Sequence, residues 1–115
     1  MATTASALYR PAEDVPPIDV DERVPLLFDY TDMAVGDTFS GTPVISCEAI
    51  SGTDDTAGSR PDGAPEVTGL QVVQWMTGCL AGVTYLVRSK ATMASGQVLV
   101  QAISLRCVRV GAADV

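Results

Sequence analysis

Carboxylates are the main groups in this sequence that could do chemistry, because the 115 residues include no histidine. Without the commonest general base, Ser-His-Asp, Cys-His and HExxH arrangements are excluded. Asp54, Asp55 and Asp62 could offer oxygens to calcium, but their spacing matches no EF-hand loop, and a solvated loop is the favoured interpretation. A second group lies around a strand end and a turn, where carboxylates ordinarily cap backbone amides: Asp29, Asp32 and Asp37. The sequence therefore predicts no enzyme, no bound metal and no cofactor.

The three cysteines offer a second kind of chemistry. Cys47, Cys79 and Cys107 are odd in number and show no CxxC spacing. A zinc site needs a fourth ligand, and no histidine is present to supply it. Each cysteine has small or apolar neighbours, so we predict buried free thiols made in a reducing compartment, without an antibody-type bridge.

Overall composition excludes several classes of protein. Apolar residues make up 47% of the chain and the formal net charge is −7, which is too apolar for a fully disordered chain. A sequence pI of about 4.2 argues against a nucleic-acid surface. No stretch reaches the roughly 18 uninterrupted apolar residues of a membrane span, and residues 1–17 do not resemble a secretory signal.

The charges are unevenly distributed along the chain. Residues 1–66 hold 13 of the 14 acidic residues, whereas 67–115 hold Asp114 against four basic ones. One interpretation is an acidic segment joined to an ordinary domain; the other is that the acidic segment of one copy lies against a basic face of another. Opposed charges of this kind steer association and fix register. The candidate basic interface consists of Arg88, Lys90, Arg106 and Arg109.

Residues 1–24 have the pattern of an extended arm. Pro11, Pro16 and Pro17 exclude a continuous helix, and apolar residues appear singly among acidic ones. Such a segment is either a frayed terminus or an arm that becomes ordered against a neighbouring subunit. In the second case its anchors are Leu8, Tyr9, Val15, Ile18 and Val20.

Short strands separated by turns are predicted from residue 25 onward. Ile45, Cys47 and Ala49 alternate with polar residues, which is the period of a half-buried strand. Residues 51–66 contain Gly, Pro and Asp but no hydrophobe larger than Ala apart from the prolines, so they are predicted to form a surface loop. The remaining predicted strands are 25–30, 67–76, 83–88 and 98–110, with a hairpin turn at 95–96 and a β-bulge near residue 107.

This pattern predicts an all-β fold, an immunoglobulin-like antiparallel β-sandwich preceded by an extended N-terminal arm. The expected organisation is an arm over 1–24, a sandwich over 25–110 and a short tail over 111–115. Trp75, the only tryptophan, is expected between the sheets.

The order of the turn motifs resembles a known family. The motifs, within 24–110, are Phe28-Asp29-Tyr30, Gly36-Asp37-Thr38, Gly78 with Ala81-Gly82 and Tyr85, Thr92 with Ser95-Gly96, and a closing strand ending at Val110. In this order they resemble the small immunoglobulin-like virion proteins of tailed bacteriophages described as fibre–tail adaptors. The chain departs from them at Cys79, where a second glycine is common, and at Met33, where an aromatic residue is common.

The resemblance implies a structural virion protein that links the tail or neck to fibres or adjacent rings. Its expected partners are other phage virion proteins and further copies of itself in a ring, with no nucleic acid and no membrane. It would be made in the bacterial host cytoplasm and located in the tail or neck of the virion. The alternatives are a head-decoration or head–tail completion protein and a carbohydrate-binding β module.

Overall fold

A computed structural model of the chain describes residues 13–110. Within that range the backbone forms eight strands and one 3₁₀ turn and has no α-helix, so the predicted all-β class is confirmed. None of the described residues belongs to a helix that could cross a membrane. The elements in chain order are β1 (Glu13–Asp14), β2 (Ile18–Asp19), β3 (Val24–Asp29), β4 (Val44–Ser51), the 3₁₀ turn (Ala57–Ser59), β5 (Pro61–Thr68), β6 (Gln71–Met76), β7 (Thr84–Thr92) and β8 (Val98–Val108).

The strands form two sheets packed as a sandwich. The five-strand sheet has the order β1-β8-β7-β4, with β2 also paired to β8. The three-strand sheet has the order β3-β6-β5. Neighbouring strands are antiparallel, except that β1 and β2 run parallel to β8.

The core lies between the inner faces of the sheets, as the two-residue periodicity predicts. Tyr85, Val87 and Ala91 on β7 are each 0% exposed. Burial of a large apolar side chain contributes about 1.5–3 kcal/mol, so such alternate positions supply most of the stabilisation. The one polar side chain on this stretch, Ser89, is also buried, and the Tyr30 hydroxyl donates to its carbonyl oxygen at 2.7 Å.

The predicted turns are present and are held by carboxylates. Gly96 has a φ of 98° in the turn between β7 and β8, a conformation that favours glycine. The Ser95 hydroxyl donates to Oδ2 of Asp37 at 2.5 Å, and the Thr38 amide donates to Oδ1 of the same carboxylate at 2.9 Å. These hydrogen bonds lower the pKa of Asp37. Asp29 likewise accepts from the Thr31 amide, so the capping interpretation is confirmed at both positions.

The prediction of a surface loop over 51–66 is only partly right. The segment includes the 3₁₀ turn, and its last six residues belong to β5, which pairs with β6. The register shifts between Asp62 and Glu66, so the strand tolerates glycine and proline that would weaken a regular ladder. The predicted single strand over 67–76 is therefore a hairpin, with Gly69 and Leu70 between β5 and β6.

The predicted β-bulge near Cys107 is absent. β7 and β8 pair without a register shift from Thr84 opposite Arg106 to Thr92 opposite Val98. The apolar pattern of the sequence changes phase near Cys107 because both faces of β8 carry apolar residues at its end. Cys107 is buried, while Val108 pairs with Asp19.

The second half of the predicted arm belongs to the five-strand sheet. Ile18 pairs with Cys107 and is 7% exposed, and Val15 and Val20 pack against the same core. The expectation that this segment needs a neighbouring subunit to become ordered is therefore corrected for residues 13–24, because β8 of the same chain supplies its partner. The other two predicted anchors, Leu8 and Tyr9, and the tail 111–115 lie outside the described residues.

Two of the three cysteines form a disulfide, contrary to the prediction of three free thiols. Cys79 and Cys107 are bonded with their Cα atoms 6.0 Å apart, and Cys47 is free. The sequence gives no sign of this pairing, because the two residues are 28 positions apart and meet only when the segment before β7 lies against β8. The Gly82 amide donates to the Cys107 carbonyl oxygen at 2.9 Å, which fixes that approach.

The expectation that Trp75 lies between the sheets is wrong. On β6 the residues facing the core are Val72, Gln74 and Met76, each at most 1% exposed, so Trp75 points to the outer side. Gln74 occupies an inner position because its Nε2 donates to backbone carbonyls, including that of Gly63 at 3.0 Å.

The position of Trp75 can be tested by fluorescence quenching of the native protein, since no other tryptophan contributes. We expect acrylamide to quench Trp75 measurably before unfolding, because its ring reaches solvent. The variant Arg23→Ala should be quenched more strongly, because the Arg23 guanidinium covers the ring. Quenching of Trp75 that appears only after urea unfolding would place the ring in the core.

Candidate functional site

Three of the four predicted basic residues lie on one surface, the outer face of the five-strand sheet. In the ladders, Arg88 is opposite Ala102, Lys90 is opposite Val100, and Arg106 is opposite Thr84. Partners in register share a face, and the intervening residues of β7 are buried, so all three cations point outward. We call this surface the basic face; it comprises Arg88, Lys90 and Arg106.

Arg109 follows β8 and does not belong to the basic face. It lies near Asp19, whose pKa is lowered mainly by hydrogen bonds from the Asp21 and Val110 amides and less by the Arg109 charge. Arg109 therefore contributes to the local charge around the end of β8, apart from the three cations that the sheet brings together.

The basic face combines charge with exposed apolar surface. Within 13–110, none of its three cations makes an ion pair or a side-chain hydrogen bond. Val44, in register with Lys90, is 64% exposed, and Val98, opposite Thr92 at the same end of the sheet, is 52% exposed. Glu48, opposite Leu86, and Asp19, opposite Val108, are carboxylates on the same face. Unpaired cations among apolar side chains are typical of a protein-binding surface and leave local charge for an acidic partner.

The outer face of the three-strand sheet carries a second surface, which the sequence interpretation missed. Pro25 and Trp75 are in register on β3 and β6, as are Leu27 and Val73, so the four form one apolar patch. Leu27 is 50% exposed. Three carboxylates share this side of the sheet, and we call the whole the tryptophan face: Pro25, Leu27, Val73 and Trp75 with Asp29, Asp62 and Glu66.

Arg23 lies across the tryptophan face. Its guanidinium carbon is 4.3 Å from the centroid of the Trp75 ring, and its Nε donates to Oδ2 of Asp62 at 2.8 Å. The arrangement is a cation–π contact with an ion pair at its side. A sugar-binding platform needs an open aromatic face, so the guanidinium on the ring favours a protein partner at this surface. Trp and Arg are the residues most enriched at the energetic centres of protein interfaces.

Asp54 lies in a polar cluster, in a segment that the sequence predicts to be a solvated loop. Its side chain is 1% exposed, and Arg60 binds both oxygens, through Nε at 2.8 Å and Nη2 at 3.0 Å. The Tyr85 hydroxyl donates to Oδ2 at 2.6 Å and accepts from the Leu80 amide at 3.0 Å. The Thr56 amide and hydroxyl also donate to this carboxylate.

The contacts of this cluster stabilise the fold. The Arg60 guanidinium, followed by the Tyr85 and Thr56 donors, holds the pKa of Asp54 far below its usual range. Burial, and then the hydrogen bond to Asp54, raise the pKa of Tyr85. Asp54 is thus an acceptor with all its donors in place, and the cluster fastens the segment between β4 and β5 to β7. The described residues contain no group of three or more His, Cys, Asp or Glu side chains arranged to hold a metal ion.

The free thiol of Cys47 is a poor nucleophile. Burial, with a smaller contribution from Asp54, raises its pKa to about 11, so little thiolate forms at neutral pH.

An open groove of about 1120 Å³ is lined by the segment joining β1 and β2, by β3, by Leu86 and Arg88 of β7 and by β8, so it reaches one cation of the basic face. Leu26 and Val100 are among its apolar residues. Its carboxylates are engaged, because Asp29 accepts from Gln71 and Glu22 accepts from the Asp19 amide. The groove therefore offers apolar contact surface without a free acid–base pair.

The two outer sheet faces are thus the strongest candidate functional surfaces, and the sequence predicted the cations of one of them. Sequence alternation alone could have suggested the other, since Val73 and Trp75 stand in opposite phase to Val72 and Met76. The chain matches no family model, and comparison with curated proteins and with solved structures finds no match.

Proposed function

We propose that this protein is a non-catalytic structural component of a tailed-bacteriophage virion, an adaptor that links the tail or neck to fibres or adjacent rings. The observation that carries the proposal is the basic face, where three unpaired cations stand among exposed apolar side chains on a rigid sheet. A sheet face holds its side chains at fixed spacing, which suits a permanent contact with another subunit. The resemblance in the order of turn motifs supplies the virion context.

The acidic character of the whole chain supports a protein partner over nucleic acid. A net charge of −7 repels phosphate backbones at long range, while the basic face attracts an acidic patch at short range. The partners proposed are therefore other virion proteins and further copies of this chain, in the tail or neck of the particle.

Two other functions compete with the adaptor proposal. A head-decoration or head–tail completion protein would use the same surfaces at another place in the particle, and the position of the protein in an electron-microscopy map separates the two. A carbohydrate-binding module is disfavoured by the Arg23 guanidinium on the Trp75 ring.

Incorporation into particles tests the proposal directly. Phage particles produced with the wild-type chain should contain it in several copies, as measured by quantitative mass spectrometry of purified particles. The variant Arg88→Gln/Lys90→Gln should be incorporated at roughly a tenth of that level or less, because a loss of about 1.4 kcal/mol of binding free energy weakens the affinity tenfold.

The matched control is Thr53→Glu/Ser59→Glu, which changes the net charge by the same amount at two exposed residues away from the basic face. Normal incorporation is expected for this control. Absence of the wild-type chain from purified particles would refute the proposed function. Equal incorporation of Arg88→Gln/Lys90→Gln and of the control would show that the basic face is not the surface that binds the particle.

A further inference from the structure

The composition of the tryptophan face is typical of a surface that binds another protein. Leu27 is half exposed, and it continues the apolar patch formed with Pro25, Val73 and Trp75. Such a patch in the centre of a sheet face, rimmed by charged residues, is the anatomy of a protein-binding surface.

The charges around this patch complement the basic face. The tryptophan face carries three carboxylates, Asp29, Asp62 and Glu66, against the Arg23 guanidinium. The basic face carries three cations against Glu48 and Asp19, and the Asp19 carboxylate accepts hydrogen bonds from the Asp21 and Val110 amides. Both faces also present exposed apolar side chains, so the two surfaces are complementary in charge and both offer apolar contact.

We propose that the tryptophan face of one copy docks on the basic face of a second copy. This inference rests on the proposed function, since it names the partner of the basic face. The interface is heterologous, because it joins two different surfaces, so each copy keeps one face of each kind open to a further copy. Repetition of such a contact generates a ring if the rotation closes and a filament if it does not.

The size of the surface indicates how strong one such contact is. Three strands at ~4.8 Å spacing and about six residues at ~3.3 Å rise give a face of roughly 300 Å². A standard interface buries about 800 Å² per partner. A single pair is therefore weak, and a stable assembly needs several contacts that close on themselves or a scaffold that raises the local concentration.

The test uses charge reversal on each face of the full-length protein. Glu66→Lys on the tryptophan face and Lys90→Glu on the basic face should each weaken self-association at least tenfold, measured by sedimentation up to about 1 mM protein at low ionic strength. An equimolar mixture of the two variants should recover association, because each variant then meets a face of opposite charge. Association of the wild type should weaken as salt is raised.

Asp55→Lys is the matched control for Glu66→Lys, since it makes the same charge change at an exposed residue outside both faces. It should associate like the wild type. Acrylamide quenching of Trp75 reports on the tryptophan face itself and should fall as the wild-type concentration rises. Far-UV circular dichroism and urea midpoints establish that each variant is folded.

A wild-type protein that stays monomeric throughout, variants that associate normally, or a mixture that fails to recover would each overturn the inference. Unchanged quenching of Trp75 upon association would also overturn it, because the copies would then meet elsewhere. The particle experiment is independent of these outcomes. Incorporation into particles without association of the two faces would support the adaptor function and refute this contact. Association without incorporation would support this contact and refute the adaptor function.

Discussion

Replacing Asp54 with alanine is expected to destabilise the fold by about 3 kcal/mol, because it leaves a mostly buried cation without its partner. The Arg60 side chain is 16% exposed, and removal of Asp54 deprives it and the Tyr85 hydroxyl of the carboxylate to which both donate, although Arg60 keeps the Thr56 hydroxyl as an acceptor. Urea denaturation followed by circular dichroism measures the loss as a lower midpoint with an unchanged slope.

Asp55→Ala provides the control, since this neighbouring carboxylate is exposed and makes no ion pair within the described residues. Its effect should stay within about 0.5 kcal/mol. Similar midpoints for the two variants would show that the cluster does not hold the segment between β4 and β5 in place.

The same carboxylate gives a prediction with a defined sign in pH. Because the pKa of Asp54 is lowered in the folded state, its contribution is fully present above the unfolded pKa of about 3.9 and is lost as the pH falls toward the folded value. The stability difference between wild type and Asp54→Asn should therefore be constant near neutral pH and shrink below about pH 4. Comparison of the two proteins cancels the other carboxylates with lowered pKa, such as Asp37.

The second large effect is expected from the disulfide. Cys79 and Cys107 are 28 residues apart, and a closed loop of that length constrains the unfolded chain by about 3–4 kcal/mol. The variant Cys79→Ala/Cys107→Ala should lose about that much stability, which corresponds to a fall in Tm of more than 10 °C for a domain of this size. Differential scanning calorimetry measures the shift.

Cys47→Ala is the control for the cysteine variant, because its thiol takes no part in the bond. A reducing agent should lower the Tm of the wild type and of Cys47→Ala but leave the double variant unchanged. Thiol titration of the denatured, unreduced wild type should find one free thiol per chain. Three thiols in protein purified under oxidising conditions would contradict the pairing.

Local patterns predicted the parts of this fold that depend on neighbours in sequence. The alternation in β4 and β7 and the turns around Gly36 and Gly96 follow from side-chain period and backbone freedom. The local pattern does not predict β5, because Gly63 and Pro65 lie at an irregular register that only the pairing with β6 stabilises. Local sequence patterns cannot predict a strand that forms only because a partner strand stabilises it.

The candidate site shows the same division. The cations of the basic face were visible as a charge imbalance, but their common orientation became clear only from the register of β7 and β8. Asp54 looked like a solvated loop residue, because its partners Arg60 and Tyr85 are supplied by the fold. Size and hydrophobicity predict burial of Trp75, whereas Gln74 holds the inner position through hydrogen bonds that no sequence pattern shows.

The parallel pairing of β1 and β2 with β8 also constrains how the molecule is made. Ile18 finds its neighbour Cys107 only after the intervening hairpins have left the ribosome. The apolar side chains of these early-synthesised residues therefore remain exposed until β8 has been synthesised. Folds dominated by such long-range contacts form in about milliseconds to seconds. During that interval the nascent polypeptide is open to mispairing, and chaperones that shield its first residues would raise the yield of native protein.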